Sequence, residues 1–153
     1  MTYHSIDSHK KRIDDLFEKV TLLSFDLEIQ SHWARYLCIL VCGFVEVSVK
    51  TILDEYTKKH SNSQVADYVH SQLDWFQNPN STKILNLIGS FNLSWKNSLE
   101  LSIVDEKKDA IDSIVANKNL ISHGITTGIS YMRLKGYYDQ ACKVIDLIKE
   151  IVI

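Results

Sequence analysis

Proline and glycine, the residues that punctuate turns, are scarce in this chain: one proline and five glycines stand among 153 residues. A β-sandwich or barrel needs a turn about every ten residues, so the composition disfavours these folds and favours long helices. The three cysteines, Cys38, Cys42 and Cys142, are too few and too scattered for a disulfide framework or a zinc site. We expect Cys38 and Cys42 to pack as small core residues of a protein in a reducing compartment.

The chain also has no excess of basic over acidic residues. The formal net charge is −2 at pH 7, so any nucleic-acid site must be a local cluster. The N-terminus is too polar for a signal peptide, and the longest apolar run, residues 36–45, is about half the roughly 20 residues of a membrane span. We therefore expect a cytoplasmic protein with no membrane partner, forming a single helical domain over residues 1–153.

Apolar periodicity predicts an all-α bundle of five to six helices. The predicted helices cover residues 5–28, 32–60, 64–76, a short stretch around 84–88, 106–123 and 131–151. The apolar residues of segment 89–103 partly alternate, which predicts a loop with one helical turn. The tryptophans Trp33, Trp75 and Trp95 are expected in the core rather than as platforms for base stacking.

The second predicted helix, with Ser31 as its N-cap, is expected at the centre of the bundle. Its first half, residues 36–45, is apolar on every side, and a helix without a polar face is buried all round. Glu46 is the only charge between Arg35 and Lys50, and a buried carboxylate is costly unless it is paired. Three interpretations stay open: Glu46 supports a site near the end of the helix 106–123, it pairs with Arg35 or Lys50, or it lies at a partly exposed helix edge.

Four polar side chains cluster at the end of the helix 106–123: Lys118, Asn119, Ser122 and His123. Asn119 and His123 are four residues apart and share a face, whereas Lys118 and His123 are separated by about 140° around the axis. Gly124 follows where a left-handed C-terminal cap favours glycine. An imidazole titrates close to neutral pH, so it can bind a phosphodiester and move a proton during its cleavage. The alternative is structural, with His123 capping helix carbonyls and Asn119 as a surface residue.

Common catalytic and metal motifs are missing. The sequence has no glycine-rich phosphate loop, no Gly-x-Ser-x-Gly and no His-Glu-x-x-His, and its six histidines share no ligand spacing. We therefore expect neither a metal nor a cofactor.

The polar segment 119–124, Asn-Leu-Ile-Ser-His-Gly, resembles the Arg-Asn-x-Ile-Ala-His-Gly signature of HEPN domains. Segment 44–56 resembles the long second helix of that family, which often carries a glutamate. Segment 83–91, followed by Trp95, is similar to the middle of the RiboL-PSP branch and of a sister branch. The resemblance extends over residues 31–151.

This resemblance implies an up-and-down helical bundle that pairs as a homodimer and cleaves RNA without a metal ion. It implies that His123 is the general acid/base at the ribose 2′-hydroxyl and the scissile phosphate. It further implies that Asn119 orients His123 or the phosphate and that Lys118 contacts the phosphate, with Glu46 and Ser122 in support. Many such proteins are toxins or effectors of prokaryotic toxin–antitoxin and antiviral defence systems, so an antitoxin or the protein of a neighbouring gene is a further implied partner.

One departure from the signature is Lys118, which stands where the family has arginine. Lysine keeps the positive charge but loses the planar, bidentate fork of a guanidinium. The second interpretation is therefore a catalytically weakened HEPN-like module that binds RNA or mediates dimerisation.

Overall fold

The computed structural model describes residues 3–23 and 26–152, apart from the side chain of Leu23. The apolar periodicity of the first predicted helix included Leu23, and this expectation lies outside the described side chains. This described part contains seven helices and no strand, which confirms the all-α prediction. The helices are α1 Tyr3–Leu23, α2 Leu27–His60, α3 Ser63–Leu73, α4 Ser81–Phe91, α5 Leu93–Ser102, α6 Asp105–Ser122 and α7 Tyr131–Ile151.

Helix α5 is the element beyond the expected five to six, and it forms where the sequence predicted a loop. Asn92 separates it from α4: its backbone N–H donates to the Ile88 carbonyl at 3.0 Å, which closes α4. Its side-chain oxygen accepts a hydrogen bond from Ser94 N at 2.8 Å, which begins α5. One asparagine thus ends one helix and caps the next.

The start of α2 differs from the prediction. Asp26 is the N-cap, and its carboxylate accepts a hydrogen bond from Glu28 N at 2.8 Å. Ser31 lies inside the helix, so the predicted cap is wrong. Leu27, which falls inside the first helix predicted over residues 5–28, instead lies in the first turn of α2 with 81% of its surface exposed.

Helix α2 is the centre of the bundle, with α1, α3, α6 and α7 packed around it. His9 of α1 contacts the ring of Phe44 edge-on, and Tyr138 of α7 packs on the same ring. The expected burial on every side is wrong for one face, because Tyr36 is 51% exposed and Ile39 is 40% exposed. In the described part of the chain, α2 is also the one helix long and apolar enough to cross a bilayer, and 61% of an apolar 18-residue part of it is buried inside the fold.

Helix α6, which carries the polar cluster, packs between α2 and α7. The Cys38 thiol of α2 donates to the Ile114 carbonyl of α6 at 3.6 Å. The loop after α6 returns beside the N-terminal turns of α2, where Ser31 shares a cavity lining with residues 127–131. Tyr131 at the start of α7 lies in the same cavity lining, and Tyr138 contacts Phe44, so α7 runs in the same direction as α2. Gln140 of α7 donates to Glu106 at the start of α6 at 3.4 Å, so α6 runs antiparallel to α7 and therefore to α2.

Candidate active site

The C-terminal end of α6 is closed by backbone hydrogen bonds around Gly124. Gly124 adopts φ +70°, its N–H donates to the Ile121 carbonyl at 3.0 Å, and the Ile125 N–H donates to the Leu120 carbonyl at 2.9 Å. This pair of bonds is the Schellman arrangement, which requires a left-handed residue just beyond the helix. The predicted glycine cap is confirmed, and it makes His123 the C-cap residue.

His123 and Asn119 present their side chains at this end of the helix. The backbone N–H of His123 donates to the Asn119 carbonyl at 3.1 Å, so the main chain caps the helix there. The imidazole is exposed, and the Asn119 side chain is half-buried. Within residues 3–23 and 26–152, neither side chain is seen in a hydrogen bond or an ion pair, so both can engage a ligand.

The side chain of Lys118 is bonded to a loop and not to His123 or Asn119. Its Nζ donates to Asn78 Oδ1 at 2.9 Å, in the loop between α3 and α4. The backbone N–H of Asn78, a residue held at φ 54°, donates to Glu46 Oε2 at 3.3 Å. The ammonium of Lys118 therefore serves as a tie between α6 and this loop.

Glu46 pairs with Lys50, one of the partners left open by the sequence. Lys50 Nζ lies 3.2 Å from Glu46 Oε1, and both side chains are mostly shielded from solvent. Glu46 reaches Lys118 only through Asn78 and makes no contact with His123 in the described structure. The carboxylate thus anchors the loop that holds Lys118.

Further polar pairs, which the sequence did not indicate, fix α6. The Thr127 hydroxyl donates to the side chain of Asn117, which itself donates to the Ser113 carbonyl at 2.8 Å. Near the middle of α6, Asp112 accepts from both the N–H and the hydroxyl of Ser81, at 2.8 and 3.0 Å. Ser81 and Asp112 are 31 residues apart and Thr127 and Asn117 are ten apart, and no spacing rule links either pair. Ser122, named with the site, is exposed and lies next to this framework without a bond of its own to it.

The two cysteines of α2 that lie near α6 are not suited to act as nucleophiles. Burial raises the pKa of the Cys38 thiol to about 12 and that of Cys42 to about 11. For Cys42, the Lys118 ammonium opposes this rise and Glu46 adds to it. Both thiols stay protonated near neutral pH and act as core residues. No three His, Cys, Asp or Glu side chains come together as a candidate metal site in the described residues.

Comparison with known proteins decides the family. The family model described as RiboL-PSP-HEPN matches residues 5–153. The chain is a member of this HEPN family. No curated protein and no solved structure matches it. HEPN membership agrees with the all-α bundle and supports a nuclease or RNA-binding module in general terms.

Proposed function

We propose that this HEPN protein is a metal-independent endoribonuclease that acts as a homodimer. The observation that carries the proposal is the exposed imidazole of His123, held at a rigid helix end by the Gly124 cap. Asn119 lies one turn earlier on the same face, and its amide is available to a ligand. An imidazole and an amide placed together in this way suit the binding and cleavage of a phosphodiester.

The reaction proceeds by proton transfer at two oxygens. One imidazole takes the proton from the ribose 2′-hydroxyl as the 2′ oxygen attacks phosphorus. The bond from phosphorus to the 5′ oxygen breaks, and the imidazole of the second subunit gives a proton to that oxygen. The products are a 2′,3′-cyclic phosphate and a 5′-hydroxyl. Each positioned acid or base contributes on the order of 100- to 10,000-fold to the rate.

Apolar surface beside His123 supports pairing of two copies at this face. Leu120 is 38% exposed and Ile125 is 54% exposed, and they precede and follow the histidine in the chain. Exposed apolar residues that cluster around a polar site are typical of an interaction surface. A twofold contact here brings one His123 from each subunit to one cleft.

The biological setting we propose is the cytoplasm of a prokaryote. The protein acts there as the toxin or effector of a toxin–antitoxin or antiviral defence system, and an antitoxin or neighbouring-gene protein restrains it. This part of the proposal rests on family membership.

A second candidate function is favoured by Lys118. The family arginine is replaced by lysine, and this lysine is bonded to Asn78. Loss of a positive group from a phosphate site can cost several powers of ten in rate. The alternative is a HEPN module that binds RNA or pairs with itself but cleaves weakly.

An RNase assay in EDTA with a fluorescent RNA separates the two functions. The wild type is expected to leave 2′,3′-cyclic phosphate ends, and His123→Ala is expected to lose about 100- to 10,000-fold in rate because the acid/base is gone. His4→Ala, which removes an exposed histidine on α1, is the matched control and should cleave like the wild type. Wild-type protein that retains RNA without cleaving it supports the binding module, and His123→Ala that cleaves at the wild-type rate contradicts the proposed mechanism.

A further inference from the structure

Arg35 on α2 has the planar guanidinium that Lys118 lacks. We infer that Arg35 supplies the guanidinium that contacts the scissile phosphate beside His123, an inference that rests on the proposed nuclease function. Lys118 then acts as a structural tie between α6 and the loop at Asn78.

The position of Arg35 follows from the antiparallel packing of α2 and α6. Ser31, Arg35, Cys38 and Cys42 are spaced by four, three and four residues, so they form one row along α2. Cys38 contacts the Ile114 carbonyl, and Ser31 lies against the loop that follows α6. Arg35 stands between these two contacts, alongside the last turns of α6.

The direction of the side chain supports the same placement. Long side chains on a helix lean toward its N-terminus. On α2 this is the direction of Ser31, and therefore of the loop that begins at the C-cap of α6. The guanidinium is thus carried toward the end of α6 where His123 lies. By the same rule, Lys118 leans back along α6, and its bond to Asn78 agrees with this.

The guanidinium is uncompensated in the described structure. Its Nη2 lies 3.0 Å from His32 Nδ1, and its Nε is buried without a partner. No carboxylate pairs with it within residues 3–23 and 26–152, whereas Lys50 is neutralised by Glu46. A guanidinium that holds no carboxylate remains available to a phosphate, which it can bind through two parallel N–H groups.

Four variants test this inference: Arg35→Ala, Arg35→Lys, Lys118→Gln and, as the matched control, Arg12→Ala, which removes an exposed arginine on α1. For each variant, kcat and KM are measured in EDTA, together with RNA affinity by fluorescence anisotropy and the thermal midpoint. Arg35→Ala should lower kcat by about 100-fold or more. Arg35→Lys should recover only part of this loss, because the ammonium lacks the fork. Lys118→Gln, which keeps an N–H donor on a shorter side chain, should stay within about tenfold of the wild type, since it removes no phosphate contact.

Two results overturn the assignment: Arg35→Ala with wild-type kcat, or Lys118→Gln with a loss as large as that of Arg35→Ala at an unchanged thermal midpoint. If the wild type cleaves no RNA, the nuclease proposal fails and the binding measurements still test Arg35. Arg35→Ala should then weaken RNA binding more than Arg12→Ala does and reduce the salt slope by about one. Equal affinities and equal slopes for these two variants reject Arg35 as a phosphate contact.

Discussion

At the scale of single residues, Asp54 is the most strongly paired carboxylate of α2. It is 5% exposed, and it accepts hydrogen bonds from Lys58 Nζ at 2.6 Å and from His70 Nδ1 at 3.0 Å. Burial raises the pKa of Asp54, but the bonds from Lys58 and His70 outweigh burial and hold the pKa below its ordinary value. The charged carboxylate therefore fastens α3 to α2.

Replacing this carboxylate should make stability depend less on pH. Asp54→Asn is expected to lower the free energy of unfolding by about 2 kcal/mol near neutral pH, since hydrogen bonds to a charged group are lost. Because the pKa is depressed in the folded state, the contribution of Asp54 is present above about pH 4 and is lost as the pH falls further.

Urea unfolding at about pH 7 and about pH 3 measures this effect. The difference in the free energy of unfolding between the wild type and Asp54→Asn should be smaller at the lower pH. Asp15→Asn, at an exposed position of α1, is the control and should leave stability nearly unchanged at both values. A difference in the free energy of unfolding that is the same at both pH values contradicts the pairing described for Asp54.

Residue roles were predictable where they depend on neighbours in the chain. The spacing of Asn119, His123 and Gly124 predicted a shared face and a glycine cap, and both depend only on helix geometry. The partner of Lys118 was not predictable, because Asn78 is 40 residues away and meets it only in the folded bundle. Trp75, expected in the core, is 83% exposed, because α3 ends at Leu73 before the tryptophan can join its inner face.

At the scale of elements, the cap of α6 determines where His123 stands. Gly124 lies in the left-handed region, and a Cβ at this position would meet no atom within 4 Å. The cost of a side chain here is therefore conformational rather than steric. Gly128, four residues later, lacks the positive φ and also has open space around it.

This pair of glycines gives a matched test of the cap. Gly124→Ala should lower the free energy of unfolding by about 1–2 kcal/mol, because alanine resists the left-handed conformation. Gly128→Ala should have no cost and can stabilise by about 0.5 kcal/mol, since it restricts the unfolded chain. Urea unfolding of both variants provides the comparison, and a Gly124→Ala protein as stable as Gly128→Ala would be inconsistent with the cap.

Helix boundaries were the least predictable elements. The apolar periodicity of the first helix continued through Leu27, so the predicted helix extended to residue 28. In the structure Asp26 caps α2, and Leu27 belongs to that second helix. Asn92 likewise divides α4 from α5, although the apolar residues on its two sides read as one irregular segment. In both cases one capping side chain sets the helix boundary inside a continuous apolar pattern.

At the scale of the whole molecule, long-range ties hold α6 against the rest of the bundle. The pairs Ser81–Asp112 and Asn78–Lys118 secure it near its middle and near its C-terminal end, and Thr127–Asn117 ties it to the returning loop. The end that carries His123 faces solvent with apolar neighbours on both sides. This exposed, partly apolar end is the surface at which we propose that two copies meet.

Mixed dimers test the central claim, that each cleft uses two imidazoles from two subunits. Wild type and His123→Ala are exchanged in varying proportions at a fixed total concentration, and the RNA cleavage rate is measured in EDTA. If each cleft needs both histidines, an equal mixture retains about a quarter of the wild-type rate, because only dimers with two intact subunits cleave. A rate of about three quarters would show that one imidazole in the shared cleft suffices, and a rate of about half would show that each subunit acts independently; either result would contradict the paired site.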